Sequence, residues 1–245
     1  MNKTATLKEL SQLKLAGMAQ HYEGILSLSA HDQPDAHTLI AQLTQAELQA
    51  RTHQKTALLL KLSKLRFGST VQEIQCSQTR NLFPEQLQTL SDCSYIQRSE
   101  NILITGSTGC GKSYLACALG NQACLMGHKV YYANMNRLSE KIMLAKLEGT
   151  FVKLLNQFAK VSLLILDDFG LQPLDQNTRL ALLQLLEDRY GEKSTMIVSQ
   201  LPISKWHDAI GEPTLADAIM DRITTGAHRI ELKGESLRKK AVPKT

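Results

Sequence analysis

Asn101 to Gly120 reads NILITGSTGCGKSYLACALG. The apolar run Asn101–Thr105 predicts a buried strand, and Lys112 to Met126, closed by Gly127, predicts a helix. Between them, Gly106-Ser107-Thr108-Gly109-Cys110-Gly111-Lys112-Ser113 satisfies G-x-x-x-x-G-K-[ST] in full. Glycines there let backbone N–H groups turn toward phosphate oxygens, and the helix N-terminus adds a favourable dipole. Lys112 is expected to reach the β- and γ-phosphates of ATP, and the Ser113 hydroxyl to ligate Mg²⁺. The candidate nucleotide-binding residues are therefore Gly106, Ser107, Thr108, Gly109, Cys110, Gly111, Lys112, Ser113 and Tyr114. Strand before and helix after separate this loop from an ordinary glycine turn with a surface lysine.

Further along the chain, Leu163-Leu164-Ile165-Leu166 runs into Asp167-Asp168. An apolar strand ending in a carboxylate is the second half of such a site. Asp167 is assigned to the magnesium shell, and Asp168 to the general base that polarises the attacking water. The two strands are not consecutive, because Lys129–Ala133 (KVYYA) lies between them in sequence. A later strand, Thr195–Ser199 (TMIVS), ends at Gln200. That order suits NTPases in which one strand is inserted between the loop strand and the carboxylate strand. Gln200, or Ser199, is then the polar residue presented to the γ-phosphate.

With a fifth strand at His228–Leu232 and helices between, the pattern predicts an α/β fold: a parallel five-stranded sheet flanked by helices. The first ~70 residues lack strand-like alternation and predict a small all-helical domain, one helix starting after Thr4 and another over about 35–64. Residues 71–100 are polar, contain Pro84, and read as a linker. The expected division is 1–70 helical, 71–100 linker and 101–245 ATPase.

Composition agrees with a globular chain: 43% hydrophobic and 21% charged residues in 245. No apolar run of membrane-spanning length and no signal-peptide pattern occur, so a cytoplasmic protein without a membrane partner is expected. The five cysteines include no CxxC pair, and the seven histidines form no metal-binding pattern. Cys110, Cys117 and Cys124 recur every seven residues, which predicts packing on one helix face. The net charge of +5 equals the seven basic minus two acidic residues from Arg222 to Thr245. A basic tail of that kind can touch phosphates or remain a solvated end.

LKLAGMAQHYE near the start, the phosphate-loop stretch, LLILDDFGLQPL, LLEDRYGEKST, SQLPISKWHDAIGEPTLADAIMDRI and HRIELKGESLRK together carry a family likeness. The chain resembles the IstB-like AAA+ ATPases, helpers of insertion-sequence transposition related to the helicase loader DnaC and the initiator DnaA. The resemblance implies a P-loop NTPase that self-associates in a nucleotide-dependent way, assembles on double-stranded DNA and delivers a partner transposase. It implies that Arg222, in IMDRI, is offered to a neighbouring subunit's nucleotide. It also implies that Arg238, in GESLRK, senses the γ-phosphate and that Gln200 is the polar sensor. Initiator-like members carry an extra channel-facing helix after the second strand, where this chain has Arg137, Lys141, Lys146 and Lys153, candidate DNA contacts. Three departures stand out. The helical N-terminal region of the family is often densely basic before the phosphate loop, whereas here that stretch keeps Arg51, Lys55, Lys61, Lys64 and Arg66, interleaved with leucines. Asp168 replaces the glutamate of many AAA+ proteins, which predicts weak basal hydrolysis. Thirteen residues follow Leu232, too few for a full C-terminal helical lid.

A DnaC-like helicase loader is the alternative within the same fold, with the N-terminal helices deciding the partner. A small-molecule P-loop kinase is a third reading. It needs an acceptor pocket and lid for which no segment after the fifth strand is long enough.

Overall fold

The computed structural model describes residues 3–29 and 31–237. Arg238, and Lys239, Lys240 and Lys244 of the basic tail, lie outside the described residues. The chain forms two compact units, Met1–Leu58 and Leu59–Thr245.

The first unit contains α1 (Lys3–Gln12), α2 (Ala16–Leu26) and most of α3 (Ala36–Ser63). The single helix expected after Thr4 is thus broken in two. Lys14 turns the chain at φ +60°, and the next helix restarts after Leu15. Glu47 of α3, buried, accepts from the backbone N–H of Gly17 at 2.8 Å and of Met18 at 3.3 Å. Those are orphan donors in the first turn of α2, so a carboxylate satisfies both the hydrogen bonds and the dipole there.

In the second unit β1 (Ile102–Gly106), β2 (Val130–Asn134), β3 (Leu163–Phe169), β4 (Ser194–Ser199) and β5 (His228–Leu232) make one sheet, in the order β2-β3-β4-β1-β5. Every pairing is parallel. β4 stands between β1 and β3, as the sequence order predicts. Period-2 alternation sends Ile104, Ile165 and Val198 to one core, and Leu103, Leu164 and Ile197 to the other. Both faces are covered, which is why these strands are apolar throughout. Helix α6 (Lys112–Leu125) packs on the first face. Cys117 and Cys124 are buried in that core together with Cys110 of the preceding loop, as their spacing predicts, and all three are free thiols.

Residues 71–100 depart from expectation. Instead of an irregular linker, this segment contains α4 (Pro84–Ser91) and α5 (Ser94–Gln97). Leu82, Leu90 and Tyr95 are almost fully buried in the first core. Polar residues on its outer face masked that inner apolar stripe. Burying a leucine of this kind is worth about 2 kcal/mol. The opposite face carries α7 (Met135–Leu147), α8 (Phe151–Ala159), α9 (Gln176–Glu187), α10 (Trp206–Ile210) and α11 (Pro213–Thr224). No helix of the described residues is long and apolar enough to cross a membrane.

Candidate nucleotide site at the carboxyl end of the sheet

β1 ends in the loop Gly106–Ser113, and α6 starts at Lys112 with Gly111 as its N-cap at φ +94°. Gly106 and Gly109 hold φ of +147° and +82°. A Cβ on Gly106 would lie 2.3 Å from the Leu232 carbonyl oxygen, and one on Gly109 would lie 2.2 Å from Ser236 Oγ. Only glycine fits both the backbone angles and the space. Lys112 is largely buried, and its Nζ donates across the loop to the Ser107 carbonyl at 2.8 Å. The loop is thereby held as a turn around the lysine ammonium, with the first backbone N–H groups of α6 beneath it.

Neighbouring segments hold the loop from two sides. Beyond β5, the Leu237 N–H donates to the Gly109 carbonyl at 3.0 Å. From the preceding segment, Arg80 donates through Nη2 to the Cys110 carbonyl at 3.1 Å. Arg80 was not singled out from sequence, since nothing in its surroundings marks it until the fold brings it to the loop. The Tyr114 ring is turned away, its hydroxyl donating to Glu73 at 2.8 Å.

Carboxylates and sensor residues arrive from the adjoining strands. Asp167 is 1% exposed; its Oδ2 accepts from the Tyr132 hydroxyl at 2.6 Å and its Oδ1 from the Asp168 N–H at 2.9 Å. Burial and the bond to Asp167 push the Tyr132 phenol far above its usual range, so it remains a proton donor. Asp168 sits at φ +61°, where the pairing of β3 with β4 shifts register between Leu166 and Phe169. Its Oδ2 accepts from Asn134 Nδ2 at 2.6 Å. The other end of the Asn134 amide caps α7, accepting from the N–H groups of Asn136 and Arg137. Tyr132 and Asn134 were not foreseen, because only the register of β2 against β3 sets Asn134 opposite Asp167. From β4, Ser199 is fully buried and bonds the Phe169 carbonyl. Gln200 follows it and accepts from the Thr108 hydroxyl at 2.5 Å. Phosphate loop and sensor candidate are therefore in contact.

Remaining candidates lie elsewhere. Arg222 is at the opposite end of the sheet: its carbonyl accepts from Asn101, the residue preceding β1, at 2.9 Å. One strand length of ~17 Å separates that end from the loop. The Arg222 guanidinium bonds Glu187 and the Ala218 carbonyl. Of the proposed DNA contacts, Arg137 and Lys141 line a cavity of about 820 Å³ beside β2. Lys146 is turned to Asn177 at 2.8 Å and lies over the Phe151 ring, while Lys153 is exposed on α8. Lys146 and Lys153 do not line that cavity.

Magnesium binds oxygen donors and usually takes one or two from protein, the rest from phosphates and water. Ser113, half-buried in the first turn of α6, and buried Asp167 are oxygen donors of the kind that would hold it. Among the described residues no group of three or more His, Cys, Asp or Glu converges as a metal site would.

A parallel sheet with an inserted strand, a glycine phosphate loop and an acidic strand end defines a P-loop nucleotide-binding protein of the AAA+ kind. The model of the IstB-like ATP-binding proteins matches residues 8–245, and the chain belongs to that family. It is 41% identical over 96% of both chains to y4pL of Sinorhizobium fredii, named as an insertion sequence ATP-binding protein. It is 29% identical to the insertion sequence IS21 ATP-binding protein of Pseudomonas aeruginosa, over 94% of this chain and 87% of that one. Among solved structures, the DnaC helicase loader superposes with a TM-score of 0.58 at 20% identity, over 69% of this chain and 99% of that one. AMPPCP-bound DnaA of Aquifex aeolicus gives 0.58 at 21%, over 71% and 53%. These two likenesses concern the fold.

Proposed function

We propose that this protein is a Mg²⁺-dependent ATPase that assembles on double-stranded DNA and recruits or activates the transposase of its insertion element. The observation that carries the reading is the contact of Thr108 with Gln200, beside a strand end bearing Asp167 and Asp168. Relatives of 41% and 40% identity, both named for insertion sequences, favour transposition over helicase loading.

In this reading Lys112 exchanges the Ser107 carbonyl for β- and γ-phosphate oxygens. Ser113 and Asp167 hold magnesium, which when bound neutralises phosphate charge. Asp168, held by Asn134, accepts the proton of the attacking water. Gln200 offers its amide to the γ-phosphate, with the Thr108 hydroxyl keeping it at the loop. Arg238, outside the described residues, takes the γ-phosphate-sensing role that the family resemblance implies.

Binding of a fluorescent ATP analogue, and ATP turnover with duplex DNA or with small phosphate acceptors, tests this. Lys112→Ala is expected to lose nucleotide binding, because phosphate charge loses its fixed counter-charge. Duplex DNA, and not small acceptors, is expected to stimulate the natural protein. Unchanged turnover in Lys112→Ala, or stimulation only by a small acceptor, refutes the reading.

A further inference from the structure

The cavity beside β2 adjoins the nucleotide site at Asp168 and carries cations that ATP binding does not use. Among the described residues β2 is an edge strand, paired with β3 alone, so no strand covers its outer side. The cavity wraps around that edge. Lys64 and Arg66 enter from the segment just after α3, and Arg137 and Lys141 from α7. Glu140 and Asp168 are the acidic residues lining it, and Asp168 is engaged by Asn134. None of the four cations is in an ion pair among the described residues; Lys141 donates to the Tyr131 hydroxyl at 3.0 Å. Cations held on both sides of an open strand edge, facing solvent, suit an extended polyanion better than a compact neutral ligand.

Tyr132 lines the same cavity while donating its one hydroxyl proton to Asp167 Oδ2 at 2.6 Å. Arg66 reaches toward that hydroxyl as well. A hydroxyl proton serves one acceptor at a time. A phosphate oxygen brought in by Arg66 would compete for it and free Asp167 Oδ2 for the magnesium water shell.

We propose that this cleft holds the phosphodiester backbone of bound DNA between Arg66 and the Arg137–Lys141 face of α7, and that Tyr132 reports its occupancy to Asp167. The proposal rests on the DNA-bound ATPase reading above and deepens it, adding Lys64 and Arg66 to the DNA surface and making Tyr132 a positioning residue. DNA and nucleotide then help each other bind through a shared carboxylate, as linkage requires.

Two measurements test it on the full-length protein. The first is the salt dependence of binding to a labelled duplex. Lys64→Ala/Arg66→Ala is expected to bind more weakly and to reduce the slope of log affinity against log salt by about 2, about 0.9 per lost phosphate contact. The second is the Mg²⁺ concentration at half-maximal binding of a fluorescent ATP analogue, with and without duplex. DNA is expected to lower that midpoint roughly threefold to tenfold in the natural protein, the scale of one hydrogen bond. Tyr132→Phe is expected to keep the salt slope and lose the midpoint shift. An unchanged slope in Lys64→Ala/Arg66→Ala, while the natural protein binds duplex, overturns the cleft alone. An equal midpoint shift in Tyr132→Phe overturns the coupling. No duplex binding by the natural protein overturns both this and the reading it rests on.

Discussion

Asp168 is a non-glycine residue at φ +61°, in a region that costs most L-residues about 1 kcal/mol or more but that aspartate tolerates best after asparagine. The irregular pairing at that point of β3 turns the carboxylate from the sheet plane toward Asn134. A shorter acid than glutamate is thus carried by a bend in the backbone. Asp168→Asn is expected to keep ATP affinity within about threefold and to slow single-turnover hydrolysis by about 10²-fold, the scale of a lost general base. Hydrolysis at the natural rate in that variant would mean that another carboxylate takes the proton.

At the scale of elements, two polar groups hold the amino ends of the strands. Arg189 is 1% exposed and has no acidic partner among the described residues. Its guanidinium donates to the carbonyls of Phe158 at 2.8 Å and Val161 at 2.9 Å, to the Ser194 carbonyl and to Thr195 Oγ1. Burial pushes its pKa down to about 9, still charged at neutral pH. It joins the end of α8 to the starts of β3 and β4, so Arg189→Met leaves several buried acceptors unpaired. The expected loss is about 3 kcal/mol or more, read as a lower urea midpoint at unchanged slope. Glu100, just before β1, bonds Arg98 and His228, which hold its pKa down at about 2 from the usual 4.5. Since the folded-state value is depressed, its contribution is complete above about 4.5 and fades as pH falls toward 2. Glu100→Gln is therefore expected to flatten the fall of Tm across that window, measured by thermal melts against the natural protein.

For the whole molecule, the informative feature is the distance between the phosphate loop and Arg222. With β1 between them, Arg222 cannot serve the nucleotide of its own chain in this fold. A role in hydrolysis requires a second copy, joined head to tail, and such contacts build rings or open helices. Glu187 would have to release the guanidinium to a neighbour's phosphate. Mixing Arg222→Ala with Lys112→Ala subunits is expected to restore part of the ATPase activity on DNA, since each mixed pair can form one intact site. If the two mutants co-assemble on DNA and no activity returns, Arg222 is a structural residue of α11.

Sequence alone determined the parallel sheet, the inserted strand and the loop Gly106–Ser113, because these depend on local rules. Apolar runs mark buried strands, and glycine spacing marks a phosphate turn next to a helix start. It misread residues 71–100 because the inner stripe of Leu82, Leu90 and Tyr95 shows only once α6 lies beneath it. It also ran α1 and α2 together, because the left-handed turn at Lys14 carries no glycine or proline. Tertiary structure decided that Tyr132 and Asn134 hold the two aspartates, that Arg80 braces the loop and that Lys64 and Arg66 face α7 across β2. Those partners are up to 77 residues apart, as from Lys64 to Lys141. Their meeting depends on strand register and helix packing, which no local stretch of sequence encodes.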